Sequence, residues 1–222
     1  MSVVLFAQQS MSLTSTDVLL YIPNLIGYTR VICTLIFLYL CQEESMWKLA
    51  LAAYVISFTA DLFDGMAARA FNQTSKFGAV LDMVTDRCST ALLLSVLAII
   101  YPKYFQIYLL LMALDISSHW MQMKAAGQMH HKSSSRNFVV SFYYDNYYFF
   151  GYCCVGAEFF YIFMYALRFC PEEWYKQYVY MIAFYVMLPG CAIKQFVNVC
   201  QLAAASTAIA SGDAKDANEK KQ

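Results

Sequence analysis

Four aspartates stand at short, regular spacings in a part of the chain that is otherwise apolar: Asp61, Asp64, Asp82 and Asp86. On a helix, a spacing of three or four residues places two side chains on the same face. Ionised carboxylates within a membrane span cost several kcal/mol each unless they have partners. A cluster of hard oxygen ligands is well matched by a divalent cation. The pattern therefore predicts a metal site that holds Mg²⁺ or Mn²⁺.

The stretch between the two pairs of aspartates is short enough to make the pairs meet. The chain from Arg69 to Gly78 has room only for a tight turn, so we expect the flanking helices to form an antiparallel hairpin. The members of the second pair, four residues apart, would lie about 6 Å from each other along the helix axis. Gly65 and Gly78 lack side chains and would let a ligand approach the backbone closely.

The composition places the chain among integral membrane proteins. Of its 222 residues, 60% are hydrophobic and only 14% are charged, and the formal net charge is zero. The mean hydropathy is +0.48, which is unlike that of a soluble domain. The neutral balance of charge argues against a nucleic-acid partner. The eight cysteines show no C-x-x-C or metal-finger spacing, and we expect them to be free thiols.

The apolar runs predict an all-α fold, a polytopic membrane protein with six transmembrane helices. The predicted spans are 18–41, 46–70, 77–100, 104–123, 141–168 and 177–203. We assign residues 1–16 to a flexible N-terminus, 17–203 to a single six-helix membrane domain, and 204–222 to a polar cytosolic tail. Six spans put both termini on one side, and Lys and Arg near the span ends are more numerous there. This bias predicts that the termini and the aspartates face the cytosol.

The residues from 61 to 86 follow one spacing pattern at every fixed position. The pattern is D-x2-D-G-x2-A-R-x8-G-x3-D-x3-D. It resembles the signature of the CDP-alcohol phosphotransferase family. The resemblance implies the helical bundle of that family and a site with two divalent ions. It also implies transfer of a phosphatidyl group from CDP-diacylglycerol to an alcohol, with release of CMP.

The same resemblance assigns roles to individual residues. The metal ligands would be Asp61, Asp64, Asp82 and Asp86. Asp86 would also be the general base that takes a proton from the attacking hydroxyl, and it is the deepest of the four along its span. Contacts to the CDP portion of the donor would come from Gly65, Arg69 and Ser75.

The first predicted span contains residues that a plain membrane anchor would not need. Pro23, Gly27 and Arg30 are spaced so that they share one helix face. Arg30 either points inward at a phosphate or snorkels from a kinked helix start. The segment 22–30 resembles the part of the family that helps to hold cytidine, which favours the first interpretation.

The sequence around the aspartate motif indicates the acceptor alcohol. The segments 22–30, 71–90 and 114–120 resemble members of the family that use myo-inositol, and 151–155 resembles their plant and algal forms. The resemblance implies that myo-inositol is the acceptor and phosphatidylinositol the product. It also implies a homodimer in the endoplasmic reticulum membrane, with the Golgi as an additional location.

The acceptor pocket would need polar groups without a strong phosphate-binding cluster. The candidates are Asp115, His119, Asp145 and Asn146. His119 could equally be a hydrogen-bonded helix-packing residue. The chain departs from many members of the family in carrying Tyr147 where they carry an arginine, so it would have to hold the polyol differently.

Other functions stay open on the sequence. The same chemistry could serve serine, glycerol phosphate, choline or ethanolamine as the acceptor. An ion-coupled transporter also uses intramembrane acids, but the chain lacks paired broken helices in two halves. In a structural scaffold the acids would form an ion-pair network that only locks helices together.

Overall fold

The computed structural model describes residues 13–128, 138–170 and 173–221. These ranges contain helices and no strand, which confirms the all-α prediction. The helices are α1 (Ser15–Leu19), α2 (Ile22–Leu40), α3 (Trp47–Ala70), α4 (Lys76–Ile100), α5 (Phe105–Gln128), α6 (Phe138–Asp145), α7 (Tyr147–Phe169), α8 (Glu173–Met181) and α9 (Leu188–Glu219). Short 3-10 turns at Glu44–Met46 and Pro102–Tyr104 precede α3 and α5, and a π-helical segment, Ile182–Met187, joins α8 to α9.

Five helical stretches in the described ranges are long and apolar enough to cross a membrane. They are Ile22–Leu40, Glu44–Ala70, Lys76–Ile100, Tyr147–Phe169 and Glu173–Glu219. The remaining long helix, α5, occupies the fourth predicted span and has 24 residues, which is enough to cross a bilayer. Its apolar character is interrupted by the polar run from Asp115 to His119. The protein is therefore a multi-pass membrane protein, and the count of six spans stays a prediction.

The first membrane helix begins later than the predicted boundary at residue 18. Thr14 caps the separate helix α1 by accepting a hydrogen bond from the backbone N–H of Asp17. Pro23 then lies in the first turn of α2, where its missing N–H leaves no hydrogen bond unmade. Of the N-terminal segment predicted to be flexible, residues 1–12 lie outside the described residues.

Two boundaries in the C-terminal half also differ from the prediction. The predicted span 141–168 is divided, because Asn146 ends α6 and caps α7 by accepting a hydrogen bond from the N–H of Phe149 at 3.2 Å. The last span does not end at 203 but continues as α9 through Glu219. Residues 203–211 are rich in alanine, a strong helix former, and contain no proline. The cytosolic location of 204–222 stays a prediction.

The apolar core lies on one side of the aspartates and holds the helices in place. Phe37 of α2 packs edge-on against Tyr54 of α3 at 5.0 Å and against Tyr165 of α7 at 5.5 Å between ring centroids. All three side chains are almost completely buried. Phe37 lies about two helical turns beyond Arg30, so the packing of these aromatic rings fixes α2 close to the site.

The connection between α3 and α4 is the short turn that the sequence predicts. It spans residues 71–75 and includes Asn72 in the left-handed region, with a φ of 53° that asparagine tolerates better than most residues. The two helices nevertheless have little direct contact, because α2 packs against both of them. The acidic faces therefore meet around a side chain of α2, which the hairpin prediction did not include.

Candidate metal and nucleotide site

The four motif aspartates converge on a single guanidinium group. Nη1 of Arg30 lies 2.8 Å from Oδ1 of Asp61, 2.7 Å from Oδ2 of Asp64 and 2.9 Å from Oδ1 of Asp82. Nη2 of the same arginine donates a hydrogen bond to Oδ1 of Asp86. The arginine is 2% exposed, so it points inward at the aspartates and does not snorkel, and its predicted contact with a phosphate stays a prediction.

The arrangement around Nη1 of Arg30 fits a divalent cation better than it fits an arginine. That nitrogen carries two hydrogens but contacts three carboxylates, so one contact has no hydrogen of its own. Ligand oxygens of Asp61, Asp64 and Asp82 lie within 4.8 Å of one another. A spherical cation could be coordinated by all three at once, and hard oxygen donors suit Mg²⁺ and related ions. Asp86 contacts the other nitrogen of the guanidinium, and its place as a ligand stays a prediction.

Two glycines let α2 approach α4 closely enough to deliver Arg30. A Cβ atom at Gly27 would lie 3.0 Å from Cδ2 of Leu81, and one at Gly78 would lie 3.0 Å from Oδ1 of Asn24. Both distances are shorter than a normal contact, so a larger residue at either position would require the side chain of Leu81 or Asn24 to shift. The space that we expected a ligand to use at Gly78 is thus partly filled by the side chain of Asn24.

A cavity of about 180 Å³ lies beside the aspartates. Asp64 and Asp82 line it together with Gly65 and Ser75, two of the three residues predicted to contact the CDP portion. The third, Arg69, places its Nη1 3.6 Å from where a Cβ atom of Gly65 would be. The structure therefore brings the predicted nucleotide contacts together with two of the predicted metal ligands.

The first turn of α4 forms part of the wall of this cavity. Ser75 caps the helix by accepting a hydrogen bond from the N–H of Gly78 at 2.9 Å. The other N–H groups of a first turn are free to bind anions, and the helix dipole favours negative charge there. This end of α4 therefore favours an anion beside the cavity, and phosphate binding there stays a prediction.

A second cation, which is partly buried, connects Asp86 to two of the predicted acceptor residues. Nη1 of Arg87 donates to both carboxylate oxygens of Asp115, at 2.6 and 2.7 Å. Nη2 of the same arginine lies 3.4 Å from Oδ2 of Asp86. The ring nitrogens of His119 lie 3.4 Å from Nη1 of Arg87. Asp115 and His119 therefore reach the aspartate cluster through this arginine.

The other two predicted acceptor residues have contacts at the junction of α6 and α7. Asp145 accepts a hydrogen bond from Oγ of Ser141 at 3.3 Å, and Asn146 caps α7. Tyr147, which replaces the arginine of many relatives, is 78% exposed. These hydrogen bonds are local to the ends of two helices, and a role for Asp145 and Asn146 at the acceptor stays a prediction.

Sequence reasoning missed several buried polar side chains. Glu158 of α7 accepts hydrogen bonds from the hydroxyls of Tyr54 and Thr90. A single acid within an apolar run was a sufficient signal, since such residues are seldom incidental in a membrane. Asn198 and Gln201 of α9 are also buried, and they lie inside the predicted span 177–203, where they interrupt an apolar run. All eight cysteines are free, as predicted.

Comparisons with known proteins agree with the aspartate motif. A family model described as CDP-alcohol phosphatidyltransferase matches residues 20–203. CDP-diacylglycerol–inositol 3-phosphatidyltransferase of Candida albicans is 40% identical over 92% of this chain and 88% of its own length. The protein of the same name from Saccharomyces cerevisiae is 38% identical, over 93% of this chain and 94% of its own length. No solved structure matches the chain.

A plant protein is similar to the same degree. The probable CDP-diacylglycerol–inositol 3-phosphatidyltransferase 2 of Arabidopsis thaliana is 38% identical, over 92% of this chain and 96% of its own length. Overall identity therefore does not separate the plant relative from the fungal ones. The range matched by the family model contains the whole aspartate motif and the helices that position it. This chain belongs to the CDP-alcohol phosphatidyltransferase family.

Proposed function

We propose that the protein transfers the phosphatidyl group of CDP-diacylglycerol to a hydroxyl of myo-inositol, giving phosphatidylinositol and CMP. The observation that carries the proposal is the convergence of three carboxylates on one cation position beside a cavity of about 180 Å³. Relatives that cover almost the whole chain are named for this reaction. A metal-binding cluster next to an anion-accepting helix end is what a diphosphate donor requires.

The aspartates would hold Mg²⁺ or Mn²⁺, and two ions are expected. Asp61, Asp64 and Asp82 would bind one ion together, and Asp86 would complete the coordination of the second. Such ions neutralise a diphosphate and stabilise the charge that develops on the departing oxygen of CMP.

The donor's CDP group would lie in the cavity between α2, α3 and α4. Gly65 leaves the backbone of α3 accessible, and the hydroxyl of Ser75 can still donate while it accepts from the N–H of Gly78. Arg69 is exposed and forms no ion pair with any described residue, so its guanidinium is available for a phosphate oxygen. Nε of Arg30 also lacks a hydrogen-bond partner among the described residues and could donate to the same group.

Asp86 would accept the proton of the attacking hydroxyl. Its two carboxylate oxygens are held from different sides, Oδ1 by Arg30 and Oδ2 by Arg87 at 3.4 Å. These contacts fix the orientation of the carboxylate, and positioning is essential for proton transfer to a general base.

The site would open to the cytosolic face of the endoplasmic reticulum membrane, in a homodimer. The distribution of Lys and Arg supports this orientation, and CMP and inositol are both water-soluble. A cysteine at Thr74, in the turn between α3 and α4, should react with an impermeant thiol reagent from the cytosolic side of sealed microsomes. Labelling only from the lumenal side would invert the topology, and a monomeric mass in native detergent extracts would contradict the dimer.

A panel of acceptors tests the function directly. Purified protein in detergent is incubated with CDP-diacylglycerol, Mg²⁺ or Mn²⁺, and labelled inositol, serine, glycerol phosphate, choline or ethanolamine. We expect phosphatidylinositol and CMP in equal amounts. Formation of phosphatidylserine or phosphatidylglycerol phosphate, with inositol ignored, would refute the acceptor while leaving the reaction class in place.

A further inference from the structure

A row of polar side chains runs between α5 and α9 inside the bundle, where these helices pack against each other. We call it the polar seam, and its residues are Asp115, Ser118, His119 and Gln122 of α5 and Lys194, Asn198 and Gln201 of α9. The residues on α9 follow the spacing i, i+4, i+7 and so share one face. Lys194, Asn198 and Gln201 are 8%, 0% and 2% exposed.

Two amide oxygens in the polar seam are buried without a hydrogen-bond partner among the described residues. They are Oδ1 of Asn198 and Oε1 of Gln201. The amide nitrogens of the same residues do have partners, Oε1 of Gln195 at 3.2 Å and the hydroxyl of Tyr144 at 2.7 Å. Each amide nitrogen therefore uses one of its two N–H donors, and the acceptor oxygen is unused among the described residues.

The buried cation of the polar seam is also incompletely partnered. The ammonium group of Lys194 lies 5.8 Å from the centre of the Tyr143 ring. It forms no ion pair with any carboxylate in the described part of the chain. An ammonium group has three N–H donors, so Lys194 retains donors for a further partner.

Helix packing alone does not explain this arrangement. Polar residues that join membrane helices do so through mutual hydrogen bonds, whereas the two amide oxygens have none with the part of the chain that the structure describes. Buried polar groups without partners are rare in native proteins and costly, and polar groups inside a membrane mark functional sites. The two oxygens are therefore available to an O–H or N–H donor that is not among the described residues.

The polar seam is connected to the aspartate cluster at one end. Asp115 belongs to the seam, and both of its carboxylate oxygens accept hydrogen bonds from Arg87. Arg87 also contacts Asp86. A ligand bound along the seam would thus lie at the end of a continuous chain of contacts that leads to the proposed base.

Building on the function proposed above, we infer that the polar seam is the binding site of the polyol ring. Ring hydroxyls donate to Oδ1 of Asn198 and Oε1 of Gln201, and Lys194 donates to a ring oxygen. Unpaired carbonyl oxygens suit a neutral ligand with many O–H groups, and they would repel a phosphate. At the two amides, the chemistry therefore favours the hydroxyl groups of a polyol over a phosphate group.

Two apolar variants of similar size test this assignment. Asn198→Leu and Gln201→Met remove the unused oxygens and keep most of the side-chain volume. Loss of one hydrogen bond to the ligand should raise the KM for myo-inositol about fivefold or more in each variant. The KM for CDP-diacylglycerol should stay within about twofold, because its contacts lie between α2, α3 and α4. Ser206→Ala is the matched control, since its hydroxyl only donates to the carbonyl of Leu202 on the same helix.

A binding measurement separates a lost contact from a damaged fold. Added myo-inositol should raise the melting temperature of the unaltered protein and of Ser206→Ala, and it should do so less in the two seam variants. CDP with Mn²⁺ should stabilise all four proteins equally. An unchanged inositol KM in both variants, or equal losses of inositol and CDP binding, would overturn the inference. If the unaltered protein makes no phosphatidylinositol, the proposed function itself fails, and the polyol assignment fails with it.

Discussion

The aspartate cluster and the polar seam both bury polar side chains between membrane helices, but they satisfy them in different ways. In the cluster, four carboxylates surround one guanidinium, and each of them contacts it. In the seam, the amide nitrogens of Asn198 and Gln201 each donate one hydrogen bond within the protein, and their two oxygens have no partner among the described residues. The aspartate cluster carries net negative charge and therefore favours cations, whereas the two amide oxygens of the seam can accept hydrogen bonds from hydroxyl groups.

This difference separates the two halves of a transfer reaction. A diphosphate donor is held and activated by cations, whose electrostatic contribution is large in a water-poor site. A neutral acceptor is held by individual hydrogen bonds, each of modest net strength. Substitutions in the cluster should therefore have much larger effects than substitutions in the seam.

The largest expected effect belongs to the proposed base. Asp86→Asn keeps the size of the side chain but removes its ability to take a proton, and general bases typically contribute about 10²- to 10⁴-fold to the rate. We expect kcat to fall by that order, with little change in CDP-diacylglycerol binding measured by equilibrium titration. The control is Asp213→Asn, an exposed aspartate near the end of α9. If Asp86→Asn lost donor binding as fully as Asp61→Asn, Asp86 would be chiefly a metal ligand.

The next effect concerns the stability of the metal-free cluster. Arg30→Met removes the cation that four carboxylates share, and breaking a buried ion pair costs about 3–5 kcal/mol. We expect the lower end of that range, because the side chain of Asp82 is 47% exposed. The melting temperature should fall sharply in EDTA and recover in Mn²⁺, since a divalent ion can replace the lost cation. Equal melting temperatures for variant and unaltered protein in EDTA would show that Arg30 does not stabilise the cluster.

The smallest effect is expected at the junction of α6 and α7. Asp145 is exposed and accepts a hydrogen bond from Ser141 within its own helix. For Asp145→Ala we expect the inositol KM to change less than about twofold, clearly less than for Asn198→Leu in the same assay. If the inositol KM changed more in Asp145→Ala than in Asn198→Leu, the acceptor pocket would be at the residues first selected from the sequence and not at the seam.

The aspartate cluster could be foreseen because charges in an apolar run are conspicuous and their spacing fixes a helix face. Sequence reasoning identified Gly65, Arg69 and Ser75 through the family resemblance, and the structure places Gly65 and Ser75 in the wall of one cavity with Asp64 and Asp82, while Arg69 lies beside Gly65. It did not foresee that α2 packs between α3 and α4, because periodicity describes the faces of single helices and not their order in space. Sequence reasoning therefore recognised Arg30 as an unusual residue but did not identify the aspartates that it contacts.

The polar seam was largely hidden from the sequence for a different reason. Asp115 and His119 were selected as polar residues in an apolar run, but their link to Asp86 depends on Arg87, which lies 28 residues before Asp115 in the chain. Asn198 and Gln201 lie inside the last predicted span, 177–203, but they carry no charge and were not selected. Their significance comes from unpaired oxygens, and pairing is a property of the packed helices.

The central claim is that a divalent cation held by the aspartate cluster drives phosphatidyl transfer to inositol, and metal removal tests it most directly. Formation of phosphatidylinositol from CDP-diacylglycerol and labelled myo-inositol is followed in excess EDTA and then after Mn²⁺ or Mg²⁺ is restored above the chelator. The account predicts no product in EDTA and recovery of the full rate with either or both ions, because carboxylates alone cannot bind a diphosphate. Full turnover in excess EDTA would contradict it.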